Sequence, residues 1–207
     1  MDIVDHFAKL GVPRRPWLDV DQIKQRFHEL SIDIHPDRSL SDDVDIKKLH
    51  HKEFASVNSA FQCLSDTKSR VRHLLELERG CVSENVQPVP SEMTDWFTEI
   101  GLVCRKVDLF LEKKEKQDSP ILQANLMAEG MFLNDEISKI HQKLQVELMK
   151  INEALKLLNP QWDQVGDDSV DRIGKLPLAE LGAIAQRLSF WAKWSAQLGE
   201  RSSRLMF

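Results

Sequence analysis

The residues best suited to chemistry gather around one tripeptide, His35-Pro36-Asp37. An imidazole and a carboxylate two positions apart can serve as metal ligands or as an acid–base pair. A metal site needs further ligands at usable spacing. His50, His51 and the acids between 42 and 45 follow, but they form no recognised ligand pattern. A nucleophilic centre needs an activated Ser or Cys, and no GxSxG elbow is present. Cys63, Cys81 and Cys104 are odd in number and widely spaced, with no CxxC pair and no zinc spacing. They read as reduced thiols, and the spacing predicts neither a metal nor another cofactor. Three readings of the tripeptide stand. It is a helix terminator, an acid–base or metal-ligating pair, or a rigid recognition loop in which proline fixes the backbone while His and Asp offer directional hydrogen bonds.

The elements that must position it are helical. Tyrosine is absent, β-branched runs are few, and no Asn-Gly hairpin turn occurs. A short helix is predicted from Asp2 to Leu10, stopped by Gly11. Asp19 or Asp21 caps a helix reaching Ile34, with Val20, Ile23, Phe27, Leu30 and Ile34 on one face. Pro36 forbids its continuation. Further helices are predicted over 46–64 and 68–78, with Gly80 as a stop. Residues 81–91 carry two prolines and mark a boundary, giving an N-terminal domain over 1–79, a linker over 80–91 and a second domain over 92–207. There Ser91 caps a helix striped by Met93, Trp96, Ile100, Val103, Val107 and Leu111, ending near Lys116. A second helix ends at Asn159-Pro160, a loop covers 159–177, and a last helix runs from Pro177 to Arg204. Three long striped helices make an antiparallel three-helix bundle. The fold class is therefore all-α.

Composition narrows the function classes. The 207 residues are 42% apolar and 29% charged, enough for one or two domains with real cores. A formal net charge of −5 disfavours nucleic acid and anionic membrane surfaces as partners. No run approaches the roughly 20 apolar residues of a membrane span. The acidic start, MDIVDHFAKLG, suits neither a signal nor a transit peptide, so a cytoplasmic location is expected.

Three segments in order, DHFAKLGVP, RFHELSIDIHPDR and VNSAFQCLSD, resemble the J domain of the DnaJ co-chaperone superfamily over residues 1 to about 79. The resemblance implies a helical hairpin with short flanking helices. It also implies that His35, Pro36 and Asp37 couple to a DnaK-type chaperone and stimulate its ATPase, with Lys24 and Arg26 as docking cations. The protein itself would then be no enzyme. Asp33 and Ile32 occupy positions that are often basic in J domains, which thins the positive face.

A J domain followed directly by a three-helix unit, without Gly/Phe-rich or CxxCxGxG segments, resembles the HscB-type co-chaperones of iron–sulfur cluster biogenesis. Their chaperone is of the DnaK/HscA type and their client is the IscU-type scaffold. FQCLSDTKSRVRHLLELERG, WFTEIGL and RLSFWAKW carry this resemblance. Helical geometry puts Leu181, Ile184, Leu188, Trp191, Ser195 and Leu198 on one face of the last helix, with Phe190 and Trp194 nearly opposite. Those two aromatics either anchor a partner or pack against another face of the protein. With the resemblance, Trp96, Phe97, Ile100, Phe190 and Trp194 become the expected client-binding set, although Trp96 and Ile100 also lie on the core stripe. Arg105 and Lys106 stand where the family is usually acidic. The alternatives are a J protein whose bundle binds another client or oligomerises, and an enzyme using His35 and Asp37.

Overall fold

A computed structural model of the chain describes residues 3–34, 44–81, 93–116, 120–166 and 172–206. Its helices are α1 (His6–Leu10), α2 (Val20–Ile34), α3 (Val44–Ser65), α4 (Thr67–Arg79), α5 (Thr94–Glu115), α6 (Pro120–Gln164), α7 (Arg172–Lys175) and α8 (Leu178–Met206). No strand occurs among the described residues, so the expected all-α class is observed.

Local chemistry sets most of the boundaries. α1 starts later than the expected Asp2, because Asp5 is its cap: the carboxylate accepts from the N–H groups of Phe7 and Ala8 at 2.9 and 3.1 Å. Burial alone would push the Asp5 carboxyl up. The Ala8 N–H and the Arg14 guanidinium outweigh burial and hold it below its usual range. Gly11 closes the helix in the left-handed region at φ 64°, and Gly80 closes α4 at 67°. Asp19 accepts from Asp21 N–H at the start of α2, and Asp66 from Ser69 N–H at the start of α4. The expected cap at Ser91 lies outside the described residues, and α5 begins at Thr94 behind Met93, which makes no side-chain cap bond.

The chain divides into two compact units. The first holds residues 1–84 and 152–185. Its core is built by Phe7 and Leu10 of α1, Ile23 of α2, Val57 and Leu64 of α3, and Leu74 of α4, all buried. Phe27 and Phe61 stack across the α2–α3 hairpin with ring centroids 4.4 Å apart. At the α3–α4 corner Arg70 is 1% exposed. Its guanidinium donates to Leu64 O at 2.6 Å, Pro16 O at 3.3 Å and Thr67 Oγ1 at 3.3 Å. Burial lowers its pKa to about 10, while the carbonyl end of α3 supplies the negative pole that a buried cation needs.

Within this unit α6 runs through Asn159-Pro160 to Gln164 instead of stopping there. Proline removes one helical donor, but neighbouring contacts hold the last turn. Asn159 Oδ1 accepts from Trp17 N–H at 3.0 Å, and its Nδ2 donates to Trp17 O at 2.9 Å. Trp162 is buried. Arg172 of α7 donates to the carbonyls of Val165 and Gly166 at 3.0 and 2.8 Å. The same guanidinium grips Glu78 of α4 through two bonds of 2.7 and 2.6 Å. The expected loop over 159–177 is thus a helix end and a short helix, with 167–171 outside the described residues.

The second unit holds residues 85–151 and 186–207. Ion pairs set its register. Glu99, Lys106 and Lys113 of α5 meet Lys143, Glu136 and Glu129 of α6, so these helices are antiparallel. Asp108 meets Arg201 through two bonds of 2.9 and 2.8 Å, and Glu115 lies near Arg204, so α8 runs parallel to α5. The stripe of Met93, Ile100, Val103, Val107 and Leu111 is buried as its spacing predicts, opposite Ile137, Ile140, Leu144 and Ile151 of α6 and Leu188, Trp191 and Leu198 of α8. α6 passes close enough to α5 that a Cβ on Gly130 would sit 3.2 Å from the Phe110 ring.

Candidate chaperone- and client-binding sites

His35, Pro36 and Asp37 lie outside the described residues. What is described is the hairpin that leads into and out of them. α2 ends at Ile34 and α3 begins at Val44, so the tripeptide falls in the connection between two helices locked together by the Phe27–Phe61 stack.

The two cations expected to share a docking face with it behave differently. Two positions along a helix are about 200° of rotation, so Lys24 and Arg26 point apart. Lys24 is exposed, with a surface ion pair to Asp21 at 3.1 Å. Arg26 turns back onto α1. Its Nε donates to Leu10 O at 3.1 Å, its Nη1 pairs with Glu29 at 3.0 Å, and its guanidinium lies against Gly11. Glu29 is held below its usual carboxylate range, chiefly by Arg26. Arg26 thus acts as a C-cap for α1, satisfying a terminal carbonyl.

The aromatic residues singled out in the second unit come together. Phe97 meets Phe190 edge-on at 5.4 Å and Trp194 edge-on at 4.9 Å. Trp96 lies 5.2 Å from Trp191 and 6.3 Å from Trp194. The cluster is graded from core to solvent. Ile100 and Trp194 are 2% and 3% exposed, Trp96 and Phe190 are half-buried, and Phe97 is 40% exposed. Trp194 is therefore a core residue rather than one opposite the apolar face. It stands four residues from both Phe190 and Leu198, and a helix touching two neighbours buries an arc wider than a single stripe. The accessible part of this set is the Phe97–Phe190 edge, with Trp96 behind it.

Another constellation unites residues that are far apart in sequence. His6 of α1, Cys63 of α3 and His73 of α4 each bring one ligating atom within 4.8 Å of the others. Burial lowers the pKa of both imidazoles. Burial, with Glu76 and Asp66 nearby, pushes the Cys63 thiol up to about 11. His73 is the buried member, and its Nε2 accepts from the His6 backbone N–H at 3.2 Å. Nothing in the spacing of 57 and 10 residues marks these three as neighbours; only the packing of α1 against α3 and α4 does.

Comparison with known proteins completes the assignment. The DnaJ domain family matches residues 5–73. A co-chaperone protein HscB homolog from Shewanella halifaxensis (strain HAW-EB4) is 27% identical over 163 residues, covering 68% of this chain and 93% of the relative. The co-chaperone protein HscB of Proteus mirabilis (strain HI4320) is 34% identical over 76 residues, covering 36% of this chain and 43% of the relative. Among solved structures, chaperone HscB from Vibrio cholerae has a TM-score of 0.51 at 16% identity, covering 95% of this chain and 96% of its own. Human co-chaperone protein HscB has a TM-score of 0.59 at 15% identity, covering 95% and 81%. At such identities the likeness to solved structures establishes the fold alone, a J domain followed by a helical domain. The chain is matched by the DnaJ domain over residues 5–73, and the curated relatives it resembles are HscB co-chaperones.

Proposed function

We propose that this chain stimulates the ATPase of a DnaK/HscA-type chaperone through His35, Pro36 and Asp37, and that it presents an IscU-type iron–sulfur scaffold to that chaperone. The observation that carries the reading is the DnaJ-domain match over 5–73 in a chain aligned to 93% of an HscB homolog. The chain performs no chemistry of its own and acts in the cytoplasm; no described helix is long and apolar enough to cross a membrane. Residues 1–79 serve as the J domain and 92–207 as the client-binding domain.

The hairpin supports the first half of the proposal. The Phe27–Phe61 stack holds together the two helices that flank His35, Pro36 and Asp37 in the sequence, so α2 and α3 need little reordering on docking. Lys24 adds a solvent-facing cation that speeds encounter with an acidic groove, an effect that weakens with salt. Arg26 contributes by holding α1 to α2. The Phe97–Phe190 edge supports the second half, since exposed aromatics backed by a packed cluster make good anchors for a partner. Joining both functions in one chain raises the local concentration of client at the chaperone.

Steady-state ATP hydrolysis by a DnaK/HscA-type chaperone tests the proposal. Stimulation should need His35, disappear in His35→Gln, and rise when the scaffold is added. Stimulation indifferent to the scaffold would assign a different client. No stimulation would refute the co-chaperone mechanism.

A further inference from the structure

We propose that His6, Cys63 and His73 form a binding site for a thiophilic divalent cation, with Zn2+ as the fitting ion. The site is independent of the ATPase-coupling loop and of the client edge. Three observations converge on it. The ligand atoms, two imidazole nitrogens and one sulfur, approach one another within 4.8 Å. They come from three helices, α1, α3 and α4, whose packing in the first unit is fixed by buried side chains. His6 Nδ1 is shielded from solvent and has no hydrogen-bond partner among the described residues.

The donor set selects the metal. Mixed imidazole and thiolate ligands suit Zn2+ and disfavour Mg2+ and Ca2+, which take oxygen. Bonds of about 2.0 Å to nitrogen and 2.3 Å to sulfur imply ligand separations of roughly 3.3–3.7 Å in a tetrahedron. Closing from 4.8 Å requires about 1 Å of side-chain movement. Cys63 can provide it, because its sulfur contacts Ser69 O only weakly, at 3.8 Å. His73 Nε2 accepts from the His6 backbone N–H, which leaves the ring proton on Nδ1, so ligation through Nε2 exchanges this bond for the metal; the two rings lie with centroids 4.5 Å apart. Phe7 stacks on His73 from another side at 5.8 Å, an apolar wall for the site. Three protein ligands leave a fourth position for water or an external donor. On binding, the Cys63 S–H bond breaks, a Zn–S bond forms, and the proton leaves to solvent, so one proton is released per thiolate ligated. The consequence is a cross-link of α1 to α3 and α4 in the J domain when metal is present.

The test uses the full chain, with Co2+ as a spectroscopic probe and Zn2+ as competitor. One equivalent of Co2+ should produce a thiolate-to-metal charge-transfer band, which Zn2+ abolishes. The band should be lost in Cys63→Ser, weakened in His6→Gln and His73→Gln, and kept in Cys81→Ser and Cys104→Ser. A second readout needs no variant. Zn2+ should slow alkylation of Cys63 on the order of tenfold or more while Cys81 and Cys104 react as before. Absence of the band, its survival in Cys63→Ser, or Zn2+-independent alkylation of Cys63 would each overturn the proposal. ATPase stimulation is expected without added metal, so failure of the site and failure of the co-chaperone reading are separable.

Discussion

The ion pair between Arg172 and Glu78 offers the sharpest test of how the first unit holds together. The two side chains are 9% and 2% exposed, and their contact is bidentate, at 2.7 and 2.6 Å. Arg172 also donates to Val165 O and Gly166 O, closing the end of α6. Deleting one partner of such a buried pair typically costs about 3–5 kcal/mol. Glu78→Gln keeps the shape and removes the charge, whereas Arg172→Met removes the charge and the two carbonyl bonds. Each variant should fall in that range, equivalent to a melting decrease of roughly 6–20 °C for a chain of this size. The double variant Glu78→Leu/Arg172→Met should recover most of the loss, because an apolar pair of similar volume is not penalised for desolvation. A remainder of about 0.5–1.5 kcal/mol per lost carbonyl bond should persist. Urea unfolding followed by circular dichroism gives the cycle, and hydrogen exchange at the α7 amides locates it. If either single variant loses less than about 1 kcal/mol, the pair behaves like an exposed one. The claim that it clamps α7 onto α4 then fails.

Other perturbations follow from the same structure. Asn159→Ala removes both bonds to the Trp17 backbone and leaves an amide and a carbonyl unmet. It should cost about 1–3 kcal/mol, and protection of Trp17 N–H from hydrogen exchange should fall with it. Gly199→Ala, where an added Cβ meets nothing within 4 Å, should stabilise α8 by about 0.5–1 kcal/mol. Gly130→Ala forces the buried Phe110 ring to move and should be the less stable of the two alanine variants by at least about 1 kcal/mol; equal urea midpoints would refute that crowding. Phe97→Ala with Phe190→Ala should weaken scaffold binding by about 2 kcal/mol or more, near thirtyfold in Kd. The same pair of changes should leave scaffold-independent ATPase stimulation unaltered, and binding indistinguishable from the parent would remove this edge from the client surface.

Much of the fold was legible because its signals are local. Gly11 and Gly80 close α1 and α4 as left-handed glycines, and each acts within a few residues of itself. The α5 stripe from Met93 to Leu111 repeats at helical spacing and is buried as that spacing predicts, apart from the half-buried Trp96. The Pro160 signal misled for the same reason. Proline acts locally against a helix, while the contacts that carry α6 onward come from Trp17 and Arg172, distant in sequence. Arg26 shows a subtler case. Its charge suggests docking, and in the fold its guanidinium also reaches Leu10 O, sixteen residues earlier, a partner that no local signal names.

The candidate sites divide along the same line. The HPD tripeptide and its flanking segments are contiguous words in the sequence, and the match over 5–73 reads the same stretch. The aromatic cluster was legible in membership but not in depth. The sequence points to Phe97, Phe190 and Trp194 alike, yet only packing separates an exposed edge from a core ring. A helical wheel assigns direction from one axis, whereas burial depends on how many neighbours that axis has. α8 has two, α5 and α6, reached through Asp108–Arg201 on one side and Asn134–Ser202 on the other. A residue about 80° from the centre of the stripe then falls inside the bundle, as Trp194 does, while Phe190, a further 40° round, reaches the surface. That 40° is what leaves Phe190 rather than Trp194 accessible at the edge of the cluster.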